Sequence, residues 1–195
     1  GAGDWRLPTE QRGSAPELGE GDKIICAASL SARVMHVNPR FSRLLQIEFE
    51  GSLSQMYRAG KPIQYSYLTG DIAVWDQQTV FSAVPLSVEA PSAAFPLNWN
   101  LLLNLKKSGV VIAPLLHGAG ISSSGDAELD QKLPLDEFFE IPERSWTAIH
   151  NGGRVIALGT SVVRALESAA RLNVLSGYTG LKLGPATELN VVDAV

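Results

Sequence analysis

The sequence predicts an α/β protein in which a layered α/β domain is joined to a small antiparallel β-barrel domain. Three observations lead there. Residues 22–50 carry short stretches separated by polar turns, one with the period-2 pattern of a strand that buries one face. From residue 60 onward helical periodicities alternate with apolar runs of strand length, as helices layered on a sheet require. The composition is globular, with 195 residues, 45% hydrophobic and 18% charged. That balance excludes a disordered tail, a coiled coil and a collagen-like repeat. The division this texture suggests is a barrel domain in residues 1–60 and an α/β domain in 61–195.

The strand readings begin at Ile24-Ile25-Cys26, after the polar turn Glu20-Gly21-Asp22, and continue at Ala32 to Val37. Asn38-Pro39-Arg40 is a turn, because proline presets φ and asparagine tolerates turn geometry. Phe41 to Phe49 returns, with Leu45, Ile47 and Phe49 alternating against Gln46, Glu48 and Glu50. Further on, Leu97 to Lys107 is a helix with Leu101, Leu102 and Leu105 on one face and Gly109 as its stop. Val110 to Leu116 is an almost wholly apolar run, suited to a strand covered on both faces, with Pro114 favouring its end or an edge. Ser122 to Asp130 is a loop. Pro142 to Asn151 is a short helix ended by Gly152-Gly153, Arg154 to Leu158 a second buried strand, and Thr160 to Leu172 a long amphipathic helix. In that last helix Val163, Leu166 and Ala170 form the apolar stripe and Arg164, Glu167 and Arg171 the polar one.

Charge and cysteine content narrow the function classes. Sixteen Lys and Arg against twenty Asp and Glu give a net charge of −4, which argues against strong nonspecific nucleic-acid binding. The clusters Arg33/Arg40/Arg43 and Lys106/Lys107 read as solvated faces. A nucleic-acid substrate held at a few points stays open. Cys26 is the single cysteine, so neither an intrachain disulfide nor a multi-cysteine metal site is expected. No stretch approaches the ~20 apolar residues of a membrane span, and a cytoplasmic location is the expectation.

Ligands in α/β sheets collect beyond the carboxyl ends of strands, and two loops leave such ends. The first runs from Leu116 through His117, Gly118, Gly120 and Ser122 to Asp126. Its glycines let backbone pass close to a ligand, and Asp126 and the hydroxyls are within reach of a ribose. The second is Gly159-Thr160-Ser161, where a buried strand meets a helix start. There Thr160 or Ser161 caps the helix, or the helix N-terminus holds a carboxylate or phosphate. Arg164, a turn further on, pairs with Glu167 at the surface or clamps an anion. His117 is better placed for proton transfer than His36, read as a sheet-surface residue, or His150, read as bonding the terminal carbonyls of its helix. The alternative for His117 is a core histidine bonded to backbone. No zinc spacing, P-loop or G-x-G-x-x-G motif occurs, and the acidic strand-loop of common methyltransferases is absent.

These motifs carry a resemblance. GGRVIALGTSVVRALESA (152–169) resembles the Gly-Thr-Thr-Ser-Val-Arg-x-Leu-Glu segment of the S-adenosylmethionine:tRNA ribosyltransferase-isomerases of queuosine biosynthesis. VEAPSAAF (88–95), LLHGAGISSSGD (115–126) and LNVVDAV (189–195) are similar to three further segments of that family, in the same order, and ELGEGDKI (17–24) resembles its barrel strand. The resemblance implies an α/β fold with an inserted barrel. It also implies transfer and isomerisation of the ribosyl part of S-adenosylmethionine onto a 7-deazaguanine base in tRNA, with no metal. S-adenosylmethionine would be held by Ser92, Gly118, Gly120, Ser122, Gly159, Thr160, Ser161 and Arg164, with His117 and Glu167 for acid/base duty.

The sequence departs from the family pattern in specific places. Pro96 stands where the family has histidine, and Ala94 where it has glycine. One residue is missing after His117, Ile121-Ser122 replaces Thr-Phe, and Ser161-Val162 replaces Thr-Ser. GKPIQYSYL (60–68) and WDQQT (75–79) resemble a paralogous branch. The chain begins inside the barrel and stops before the Thr-Asn-Phe-His element, which reads as a fragment or as loss of an N-terminal part of the α/β domain. Two alternatives to the transferase stay open: a paralog that binds S-adenosylmethionine or tRNA without this turnover, and an enzyme for another acceptor.

Overall fold

A computed structural model describes residues 16–27, 30–42, 44–62, 72–87, 89–122, 124 and 126–195. Its elements are β1 (Lys23–Ala27), β2 (Leu30–Val37), β3 (Leu45–Glu50), α1 (Leu53–Ala59), α2 (Trp99–Lys107), β4 (Leu116–His117), α3 (Ala127–Asp130), β5 (Glu137–Glu140), α4 (Glu143–Asn151), α5 (Thr160–Leu172) and β6 (Ser176–Thr179). Short 3₁₀ turns occupy Val74–Gln77 and Ser92–Ala94. The mixed α/β class holds. Residues 63–68 of the 60–68 stretch, Arg43, Val88, Ser123 and Gly125 lie outside the described residues.

The chain divides into two compact units, Gly1–Asp76 with Ser124–Leu129, and Gln77–Ser123 with Asp130–Val195. In the first, β1, β2 and β3 form an antiparallel sheet with β2 in the centre. Pairing sets Ala32 against Ile24 and Phe49, and Val34 against Ile47, so these residues share one face. Only the central strand buries its share, at Leu30, Ala32 and Val34, while Ile47 and Phe49 stay 37% and 36% exposed. Among the described residues the sheet is open and no barrel closes. On the other face Glu50 accepts from Ser31 Oγ at 2.7 Å and faces Lys23 at 3.0 Å and Arg33 at 3.3 Å. The hydroxyl and the two cations hold its carboxyl down at about 2. Arg40 pairs with Glu128, so Arg33 and Arg40 spend their charge on carboxylates. His36 is a sheet-surface residue, as read, and meets Glu20 at 2.7 Å.

The stretch read as the loop 122–130 contains α3. Asp126 Oδ1 accepts from the N–H groups of Glu128 and Leu129 at 3.0 Å, the geometry of an N-cap. That carboxylate is therefore occupied by its own helix.

The second unit is built on the antiparallel sheet β4-β5-β6. Phe139 and Ile141 from this sheet region, Val163, Ala165, Leu166 and Ala169 from α5, and Ala157 and Val192 make one core. The reading of α5 is met at both ends, and Asn173 in the left-handed conformation stops it. α2 is capped by Asn98, whose side chain accepts from Leu101 N–H. It ends in a Schellman motif, with Val110 N–H on Leu105 O and Gly109 N–H on Lys106 O. Gly109 has φ +85°, the conformation such a stop uses. On this helix Leu102 is buried but Leu101 is exposed. α4 starts one residue after Pro142, and His150 Nδ1 lies 2.9 Å from Trp146 O, as the carbonyl-bonding reading required. Among the described residues no helix is long and apolar enough to cross a membrane.

Two strand readings fail. Of Val110 to Leu116 only Leu116 enters a strand, and Val111 is 69% exposed. Arg154 to Leu158 forms a single parallel bridge, Ile156 to Ala194, and Ile156 is 63% exposed. An apolar run of strand length signals a preference for cover. Among the described residues neither run has ladder partners on both sides.

Candidate functional site

The site grows from three pieces of the second unit: the β4 exit, strand β5 and the first two turns of α5. β4 pairs with β5 so that His117 lies opposite Phe139. Residues two apart on a strand share a face, so Glu137 points the same way as Phe139 and His117, into the unit. The Gly118 N–H donates to Phe138 O at 2.8 Å and the Gly120 N–H to Glu137 Oε1 at 2.7 Å, which folds the glycine turn back over β5. A Cβ at Gly120 would sit 3.3 Å from Glu137 Oε1, and one at Gly118 3.2 Å from Leu86. Small residues permit this approach. Ser87 Oγ donates to Ala119 O at 2.8 Å, and exposed Ser122 donates to Glu89 at 3.0 Å.

α5 supplies the counter-charge. Arg164 is 6% exposed. Its Nη1 donates to Glu137 Oε2, its Nε to Leu181 O at 2.8 Å, and its Nη2 to Thr179 O at 2.8 Å and Leu135 O at 3.0 Å. The guanidinium is thus bonded to β5, β6 and the segments beside them. It makes no surface pair with Glu167, and the polar stripe of this helix is buried at both positions. Glu167 is fully buried. Its two oxygens accept from Asn190 N–H at 3.0 and 2.8 Å, and Oε1 also from Val191 and Val192 N–H at 2.9 and 3.2 Å. Arg171 stands 3.6 Å from it. Any proton transfer by Glu167 would first have to give up these bonds.

His117 differs from both. Its side chain is 5% exposed, and Nε2 lies 3.3 Å from Glu137 Oε2. The approach is off the hydrogen-bond direction, so neither ring nitrogen has a hydrogen-bond partner. This is not the core histidine bonded to backbone. Burial holds its imidazole below the usual value, Glu137 works against that, and Arg164 adds to it. Buried polar atoms are nearly always paired, which makes this ring the exception among the described residues.

At the start of α5 the cap is Gly159, at φ +101° and ψ 151°, with no side-chain cap bond. Thr160 and Ser161 therefore lie inside the first turn rather than at the cap. A Cβ on Gly159 would meet Ala93 Cβ at 3.1 Å, so this turn lies against the 3₁₀ turn that begins at exposed Ser92. The structure brings His117, Gly120 and Arg164 to one carboxylate, and Gly159 to the Ser92–Ala94 turn. Glu137 carried no sequence signal: it sits in EFFE, a four-residue strand without the alternation that marks a buried face.

The family described as queuosine biosynthesis protein matches residues 9–195. The chain belongs to that family. A protein of Chlorobium phaeovibrioides named S-adenosylmethionine:tRNA ribosyltransferase-isomerase is 39% identical over 57% of this chain and 36% of its own length. Proteins of the same name from Acaryochloris marina and Thermotoga maritima are 31% and 26% identical, over 94% and 90% of this chain and 53% and 55% of theirs. The chain spans about half the length, or less, of these curated relatives of the queuosine family.

Proposed function

We propose that the chain belongs to an enzyme that moves and isomerises the ribosyl moiety of S-adenosylmethionine onto a 7-deazaguanine base in tRNA, in queuosine biosynthesis. The reading draws on the names of its relatives. The observation that carries it within the molecule is the closure of the His117–Gly120 turn and of α5, through Arg164, on the single carboxylate of Glu137. In this reading His117 handles the proton next to the sulfonium, since its ring nitrogens are unpaired. Gly118, Gly120 and Ser122 line one side of the nucleoside, and Ser92, Gly159, Thr160 and Ser161 the other. Arg164 and Glu167 act from behind, holding the turn and the 190–192 segment. S-adenosylmethionine is a substrate, the reading includes no resident metal, and the place of action is the cytoplasm, where tRNA is modified. We read the open sheet of the first unit as part of a small antiparallel barrel, residues 1–60 as its domain, and 61–195 as a layered α/β domain.

Incubating the protein with S-adenosylmethionine and tRNA carrying the aminomethyl-deazaguanine base tests this by adenine release. Release is expected, with His117→Asn lowering it by about 10²–10⁴, the share a positioned acid or base contributes. No release beside an active relative overturns the reading. The commitment of Arg164 to internal partners, with Pro96 at the family's histidine position, favours a second reading: a paralog that binds S-adenosylmethionine or tRNA without turnover. Calorimetric binding with no adenine release would select it.

A further inference from the structure

Glu137 is nine-tenths buried, and its two oxygens face three different groups. Oε1 takes the Gly120 N–H, while Oε2 takes Arg164 Nη1 and lies 3.3 Å from His117 Nε2. A buried carboxylate is tolerated only when paired and hydrogen-bonded, and Arg164 provides that pairing. Four bonds from this guanidinium leave it little freedom, so the carboxylate it anchors is held too. An anchored negative charge 3.3 Å from Nε2 attracts the edge of the ring that carries this nitrogen and fixes the field in which the imidazole titrates.

We propose that Glu137 is a positioning residue: anchored by Arg164, its carboxylate orients the His117 ring and holds the Gly118–Gly120 turn beside it. The proposal rests on the reading of His117 as the group that handles the proton. It is nevertheless testable without turnover. The charged groups that face His117 are Glu137 on β5 and Arg164 on α5. Replacing Glu137 by glutamine removes the group that favours the imidazolium and leaves the one that opposes it.

The experiment is a pH titration of the histidine ring carbons by NMR in the 195-residue chain and in Glu137→Gln. His117 is expected to titrate at lower pH in the variant. Glu137→Asp, which keeps the charge, is expected to bring His117 back towards the unsubstituted value. Because Glu137→Gln leaves Arg164 without its counter-charge, a measurement on the unsubstituted chain stands beside it. There the Gly120 amide resonance should move with the same midpoint as His117, since both meet one carboxylate. An unmoved His117 midpoint in a folded Glu137→Gln, or a Gly120 amide blind to His117, overturns the proposal. If the protein is active, Glu137→Gln should also lower kcat about ten- to a hundredfold, less than the loss of a positioned acid or base itself, and shift the pH profile of kcat, with KM little changed. A coupled titration in a protein that releases no adenine would sink the transferase reading and leave the positioning role standing.

Discussion

Arg164, Glu167 and Arg171 lie on one helical stripe, spaced three and four residues apart, and a sequence reads all three as a solvent face. Only Arg171 is on the surface. The other two are drawn inside by partners far along the chain: Glu137, and the N–H groups of 190–192. The stripe was legible, but its environment was not, because helical periodicity reports which residues share a face and not what covers it. The difference has a measurable size. Arg164→Ala removes the fork that meets a carboxylate and three carbonyls and leaves Glu137 buried without its counter-charge, and should cost about 3–5 kcal/mol in urea unfolding. Glu167→Gln should cost about 1.5–3 kcal/mol, the range for hydrogen bonds to a charged group. Arg171→Ala should cost less than either, because Glu167 keeps the N–H groups of 190–192 when the cation 3.6 Å away is removed. Equal losses at all three positions would contradict the burial described above.

The helices α2 and α5 and the strands β1, β2 and β3 were legible, and the short strands β5 and β6 were not, for a local reason. α5 and α2 carry their own stop signals, Asn173 and Gly109, in left-handed or positive-φ backbone, and these act within a turn of the residues that encode them. β5 and β6 are four residues each, EFFE and SGYT. Neither is long enough to show alternation, and each becomes a strand through pairing with a neighbour distant in sequence. The reverse happened at Asp126, where a carboxylate read as a ribose contact caps α3 instead. The start of α5 offers a test at this scale. Gly159 has backbone angles open to glycine alone and a neighbour 3.1 Å from any added Cβ. Gly159→Ala should therefore cost about 1–3 kcal/mol. Gly153, with no atom within 4 Å of an added Cβ, should accept alanine within about 0.5 kcal/mol. Thermal or urea unfolding of the two variants separates a conformational requirement from a mere preference for small residues.

In the second unit the apolar residues sort into two populations that the sequence cannot tell apart. Phe139, Leu166 and Ala169 are buried in the core, whereas Val110, Val111 and Ile156 are exposed. Val80, Phe81, Trp99, Leu103 and Val111 line an open groove of about 460 Å³. Phe139→Ala is expected to cost about 3–5 kcal/mol, the loss for a buried aromatic, and Val111→Ala less than about 0.5 kcal/mol. A large loss at Val111 in equilibrium unfolding would mean that the run is covered after all.

From the amino-acid order alone came the mixed α/β class, the extents of α5 and most of α2, the surface place of His36, and the motifs that carried the family resemblance. All of these depend on contacts within a few residues or on matching strings of residues. Tertiary structure alone decided that Arg164 and Glu167 are interior, that Glu137 takes both the Gly120 N–H and the Arg164 guanidinium, and that Val110, Val111 and Ile156 stand exposed. Each of those is set by burial and pairing between segments far apart in the chain, a quantity that no local pattern encodes.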